Sequence, residues 1–590
     1  MKEFFKMMFA SALGVFVAIG LLVAILIFIM IGVVASISSS SSATYVPKQE
    51  TVLNLKLEGT IVDVTTDNPF AALMGKDEKV YSLKDILYSI RVAKENEVVK
   101  GIYIESGFFS AGTASLESIR RALIDFKESG KFVIAYGDNF TRGSYFLSSV
   151  ADKVFLNPQG ILELNGIASQ TIFYKGFLKK IGVDMLVFKV GTYKGAVEPF
   201  MLDKLSDANR EQISSYIGGI WDNIVKGVAE SRKVSVAEIN RFANEGLTFA
   251  KPERAIEFGL IDELKYRADV EEYVKEQAGQ TGDKLKTVGV DKMKTVRSNE
   301  KKSADKIAIL YAEGEIVPVE SSSPYDFEQT ITEKVARELI KLRKDESVKA
   351  VVFRVNSPGG SAYTSDQIWH QVVELKKVKP VVVSMGNVAA SGGYYISCAA
   401  SKIVAEANTL TGSIGVFGIF PNATGLLDKL DITSDVVKTN HFADLGDATR
   451  PMRDDEKALI QSYVERTYDI FLARCADGRG ISKDSIDAIG QGRVWTGEQA
   501  QKIGLVDELG GIDKAIEVAA GLAKVSDYEV STVTTTKDFF QELFEKQFDE
   551  VKLSILRNTL GEEYEYFKTL EKAKSATGIQ ARIPYTLKPL

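Results

Sequence analysis

The sequence predicts an α/β protein made of two tandem copies of one unit, preceded by a single N-terminal transmembrane helix. Three observations predict it: an internal repeat at a near-constant offset, short β-branched runs alternating with amphipathic stretches, and a long uncharged apolar run near the start. The 590 residues leave room for more than one domain at roughly 100–200 residues each. With 45% apolar and 26% charged residues, the composition is that of an ordinary globular protein.

The apolar run comes first. No charged residue lies between Lys6 and Lys48, and Met7 to Ala35 is almost wholly apolar. This exceeds the ~20 residues that cross a bilayer core as a helix, and the apolar region of a cleavable signal, about 7–15 residues. Lys2 and Lys6 precede it, while the serine-rich stretch after it is uncharged. The positive-inside rule then keeps the N-terminus cytoplasmic and sends the remaining chain outward. Residues 1–48 are expected to form a stub, an anchor and a linker.

The repeat follows. VVKGIYIE from Val98 aligns with SVKAVVFR from Ser347 at an offset of 249, and the offset pairs Gly137 with Gly386, Tyr145 with Tyr394 and Gly166 with Gly415. After small shifts, GLIDEL at Gly259 matches GLVDEL at Gly504, and LKLEGTIVD matches LYAEGEIVP. Runs such as IAILYAEG, AVVFRV and PVVVSM have strand length and β-branched content. Between them lie helix-like stretches such as KVARELIKLRK. That alternation argues for a parallel sheet in each unit. The expected units are 49–278 and 307–530, joined by a lysine-rich linker, 279–306. They are followed by a helical extension and extended tail over 531–590.

Composition also excludes. Two histidines, His370 and His441, and two cysteines, Cys398 and Cys475, cannot build a histidine-rich or multi-thiolate metal centre. A net charge of −6 gives no basic face for nucleic acid. No metal and no cofactor is expected.

The two copies differ where chemistry is concentrated. In the second, VVVSM runs into GNVAASGGYYISCAA, which sets Ser391 after a strand and before a glycine pair and a helix pattern. Backbone N–H groups at such a turn can face a developing oxyanion. The glycine turn NSPGGS, Asn356 to Ser361, can bring another. In the first copy Arg142 stands at the position of Ser391, and FFSA replaces SPGG. The asymmetry then reverses. GTYKGAVEPF carries Lys194 where the second copy has Ala443. A lysine in a glycine-bounded turn after an apolar strand is a candidate for burial, which lowers its pKa toward use as a base. One copy holds the serine, the other the lysine. A serine–histidine pair using His441 is the competing arrangement. His370 is expected on a solvated helix face, Cys398 in the core.

Together these residues resemble the signal peptide peptidase SppA family in its long, two-unit, membrane-anchored bacterial form. The resemblance spans the anchor, the duplicated unit, GTYKGAVEPF, NSPGGSA, AASGGYYIS, LTGSIGV and GLVDEL. It implies ClpP/crotonase-like units and a serine protease with a Ser/Lys dyad. By motif, Ser391 resembles the nucleophile, Lys194 the general base and Ser413 the hydroxyl that orients the lysine. Gly359 and Gly392 resemble the oxyanion-hole donors. The resemblance further implies a homotetramer in the inner membrane, its body facing the periplasm or exterior. Its substrates would be remnant signal peptides and other apolar peptides. Two other classes share parts of the pattern: a crotonase-type acyl-CoA enzyme and a non-catalytic membrane scaffold.

Overall fold

A computed structural model describes residues 44–48, 50–65, 79–297, 303–319 and 329–533, the backbone of 578–582, and a few isolated positions before 44. The apolar run Met7 to Ala35 falls almost entirely outside the described residues, as do the expected C-terminal helix and the last eight residues. Among the described residues no helix is long and apolar enough to cross a membrane.

Strands of the core are short, β-branched and buried on both faces, as parallel strands sandwiched by helices must be. In the first unit the order is Thr287–Gly289, Thr51–Lys56, Val99–Ser106, Phe132–Gly137, Lys153–Leu156, Glu263–Leu264, all parallel. The second unit repeats it with Glu529–Val533, Lys306–Glu313, Val348–Ser357, Val381–Ala390, Lys402–Ala405 and Glu508–Leu509. Beside this path, Leu410–Gly412 pairs with Val381–Ala390 and with Val494–Thr496. Helices start where the sequence offers caps: Ser82 accepts from the Asp85 amide ahead of Leu83–Glu95, and Thr332 from the Lys334 amide ahead of Glu333–Lys344.

The lysine-rich stretch expected to be a linker does more. Its Thr287–Gly289 forms the edge strand of the first sheet, the counterpart of Glu529–Val533 in the second. Three residues in a lysine-rich stretch carry too little alternation to announce a strand.

Duplication is visible in the tethers. Tyr145 Oη donates to the Leu260 carbonyl at 2.6 Å, and Tyr394 Oη to the Leu505 carbonyl at 3.0 Å. Arg232 pairs with Asp262, whose carboxylate accepts from the Val154 amide; Arg479, Asp507 and the Ile403 amide repeat the arrangement.

Many contacts join the units, among them a strand ladder and a buried ion pair. Asp184–Val190 of the first pairs antiparallel with Val416–Asn422 of the second, over seven residue pairs from Val190↔Val416 to Asp184↔Asn422. Asp63 receives two hydrogen bonds from the buried Arg354 guanidinium, at 2.8 and 2.9 Å, and Arg354 also donates to the Met385 carbonyl. Burial, and next the Asp63 charge, push the neighbouring Glu313 carboxyl up to about 8. Removing one partner of a buried ion pair strands the other charge out of water and typically costs 3–5 kcal/mol. Arg354→Met is expected to lower stability by about that amount, read as a lower denaturant midpoint.

Candidate active site

Val381–Ala390 ends at Ser391, and the backbone turns sharply there, with φ 55° and ψ −115° at Ser391, before the helix Gly392–Ser397 begins. A non-glycine residue in this region stores strain and is held only by its surroundings. The Ser391 amide donates to the Gly412 carbonyl at 2.8 Å, and its carbonyl accepts from the Tyr395 amide. Ser413, at φ 51°, is held by its amide donating to the Arg493 carbonyl. The glycine turn lies alongside: Ser357 pairs with Ala389, and a Cβ on Gly393 would stand 2.7 Å from the Ser357 carbonyl oxygen. The Gly359 amide donates to Ser357 Oγ at 3.1 Å.

Lys194 arrives from the other unit. The inter-unit ladder ends at Val190, and the following turn carries Lys194 into the second unit. There Tyr193 N–H donates to the Gln491 carbonyl at 2.8 Å. Lys194 Nζ lies 2.8 Å from Ser391 Oγ, 3.1 Å from Ser413 Oγ and 3.2 Å from the Ser413 carbonyl. Lys194 and Ser413 are 1% exposed and Ser391 is 0% exposed. None of the three amine partners is charged, so burial alone acts on the ammonium and pulls its pKa well below the usual lysine value. The Phe417 ring lies beside the amine, packed in a buried apolar cluster with Val197 and Ile419. Chemically this is a hydroxyl within reach of a buried amine that favours its neutral form.

The structure thus brings Lys194, Ser391 and Ser413 together, with Gly359 and Gly392 on the segments flanking the serine. His441 lies elsewhere in purpose: its exposed ring pairs with Asp455. His370 is exposed and Cys398 buried.

Sequence reasoning missed the scaffold under the lysine. Glu198, in the same motif, is buried and accepts from the Ser206 amide and hydroxyl and from Asn209 Nδ2. Gln212 donates to the Tyr193 carbonyl at 2.7 Å and accepts from the Val494 amide at 3.0 Å, which links the lysine turn to both units. Gly492, at φ 80°, lies so close that a Cβ there would meet the Lys194 backbone at 2.6–2.7 Å. Only the position of Glu198 inside GTYKGAVEPF offered a sequence signal.

Residues 125–281 and 373–526 match Peptidase family S49, and residues 298–410 match the Clp protease family. The chain belongs to peptidase family S49. It is 35% identical over 533 residues to Protease 4 of Salmonella typhi, spanning 88% of this chain and 84% of that protein. With Protease 4 of Haemophilus influenzae the identity is 34%, spanning 85% of each. With the chloroplastic serine protease SPPA of Arabidopsis thaliana it is 31%, spanning 81% of this chain and 70% of that one. As an S49 member the chain is a serine protease with tandem Clp-protease-like α/β units, and the acyl-CoA and scaffold readings fall away.

Two outcomes follow for this S49 site. A buried amine with a lowered pKa is protonated more readily in the unfolded chain, so it penalises folding below pH 10.5, and the penalty shrinks as pH rises toward that value. Lys194→Met is therefore expected to raise the melting temperature, with the gain widest at acid pH and closing toward pH 10.5. Gly492→Ala is expected to shift the lysine and lower kcat on the order of 10²-fold while circular dichroism stays unchanged.

Proposed function

We propose that Ser391 is the nucleophile of this protease and Lys194, from the other unit, its general base. The observation that carries the reading is the 2.8 Å separation of Lys194 Nζ and Ser391 Oγ in a fully buried, uncharged setting. A neutral amine has a lone pair that accepts the Ser391 proton as Oγ attacks the scissile carbonyl. The protonated amine then gives its proton to the leaving nitrogen, and water enters to release the acyl-enzyme by the same route. Ser413, with its hydroxyl 3.1 Å from the amine, orients Lys194. The amides of Gly359 and Gly392 stabilise the tetrahedral oxyanion, a donation worth about 10²–10³ in kcat per donor. For Gly359 this requires its N–H to turn from Ser357 Oγ to the substrate.

The substrates of the reading are apolar peptides, remnant signal peptides among them. The apolar cluster of Phe417, Val197 and Ile419, whose Phe417 lies beside the amine, supports this. The run Met7 to Ala35 anchors the protein in the inner membrane, N-terminus cytoplasmic and body outside. The chain divides into 1–48, a first unit from residue 49 through its edge strand Thr287–Gly289, a second unit from Lys306 through its edge strand Glu529–Val533, and the segments between and after them. The reading includes assembly into a homotetramer, in which exposed apolar side chains such as Phe177 and Val437 would find cover.

The test uses an apolar fluorogenic peptide and a fluorophosphonate probe. Ser391→Ala and Lys194→Ala are each expected to abolish hydrolysis, and Ser391→Ala also the labelling. The pH dependence of kcat/KM should rise with deprotonation of Lys194 and level off well below pH 10.5, because burial lowers that pKa. Activity surviving in Lys194→Ala but lost in His441→Ala would sink the dyad.

A further inference from the structure

The two copies also differ on the sheet face that is covered by Arg267–Gln277 in the first unit and by Ile512–Ala523 in the second. In the second unit an apolar cluster that includes Ile309, Val352, Ile516, Ala520 and Val530 seals that face. The aligned positions of the first unit hold Asn54, Tyr103, Glu271, Lys275 and Thr287. The ladders bear out the correspondence. Asn54 pairs with Tyr103 as Ile309 pairs with Val352, and Val52 pairs with Thr287 as Ile307 pairs with Val530.

Where the second unit is filled, the first has a cavity of about 390 Å³, lined by all five of those polar residues. Small-molecule sites run from ~300 to 1,000 Å³, whereas one water takes about 30 Å³. Tyr103 is 1% exposed, yet its Oη has no hydrogen-bond partner, and the buried Asn54 Oδ1 has none either. The Asn54 amide nitrogen is committed to Glu105 Oε2 at 3.3 Å, which leaves the oxygen as the free end. A buried polar atom without a partner is costly, and two on paired residues facing one space call for an occupant.

The surrounding groups define its chemistry. Asn54 Oδ1 can only accept a hydrogen bond. Burial raises the Tyr103 phenol above its usual range and keeps it a neutral hydroxyl, able to accept as well as donate. Glu105 is already paired with Arg267 and Lys56, and Lys275 with Glu272. Of the remaining charges in the lining, Glu271 and Asp283 outnumber Lys284. Among the described residues no group of three histidine, cysteine or acidic side chains could hold a metal ion. A primary ammonium meets these requirements, with three N–H donors, one positive charge and a carbon stem to lie against the Tyr103 ring.

We propose that this cavity is a binding site for a small organic amine, held through its primary ammonium by Asn54, Tyr103 and the acidic rim. Two sources carry that group: a free diamine, and the amino end of a short peptide of the kind a protease releases. None of the lining residues belongs to the Ser391 and Lys194 arrangement, so binding and hydrolysis are separable.

Isothermal titration of the full-length protein with 1,4-diaminobutane, the dipeptide Ala-Ala and butyrate tests the site. The titrations are repeated on the double variant Asn54→Ile/Tyr103→Val, which installs the second unit's own residues, and on Glu271→Ile, which alters only the exposed rim. At least one of the two amines is expected to bind the unaltered protein with a Kd of about 1 mM or lower, and butyrate is not. Both variants are expected to bind about tenfold more weakly or worse, with hydrolysis of an apolar peptide unchanged. Tighter binding of the diamine assigns the site to a free amine, and tighter binding of the dipeptide to a peptide end. No amine binding up to ~10 mM, equal binding by the variants, or a preference for butyrate overturns the proposal. If circular dichroism shows the double variant unfolded, Glu271→Ile decides.

Discussion

An amine held out of water next to a hydroxyl is the constraint on which the rest of this structure depends. Lysine is the most flexible way to carry a positive charge, and its ammonium is strongly hydrated. It remains buried here because its three partners are two hydroxyls and a carbonyl, none of which rewards the charged form as a carboxylate would. Every nearby device serves that seating. The inter-unit ladder sets the direction of approach, Gln212 fixes the turn from behind, and Gly492 yields the space.

The copies differ in complementary ways around the same constraint. The first copy's turn reaches into the second, and the first copy's own equivalent of the serine position is not a serine. Arg142 occupies it and donates to the carbonyl of Gly166, the counterpart of Gly415. Meanwhile the shared tethers, Tyr145 with Tyr394 and Arg232–Asp262 with Arg479–Asp507, kept both sheets in the same shape. What was shared holds the fold, and what was lost lies at the turns.

Much of this was legible in the sequence, for a physical reason. A repeat acts as its own comparison, so Ser391 against Arg142 and Lys194 against Ala443 drew attention to two turns that no local pattern would have singled out. Core strands were equally visible, since strands buried on both faces must be continuously apolar. Less was visible where pairing is made by backbone alone. Thr287–Gly289 and Gly578–Arg582 are three and five residues long, and their place depends on an edge supplied by distant sequence. Glu198, Asn209 and Gln212 read as ordinary polar residues because their burial is decided by a tertiary fold, not by neighbours in the chain.

The passage of Asp184–Val190 across to Val416–Asn422 also changes what duplication means for this molecule. A doubled unit ordinarily confers redundancy, with a spare to absorb damage. Here amine and hydroxyl come from different copies, so a lesion that unseats either half separates them. The polypeptide carries the vulnerability of an obligate heterodimer within one chain, without the freedom of a heterodimer to exchange a faulty partner.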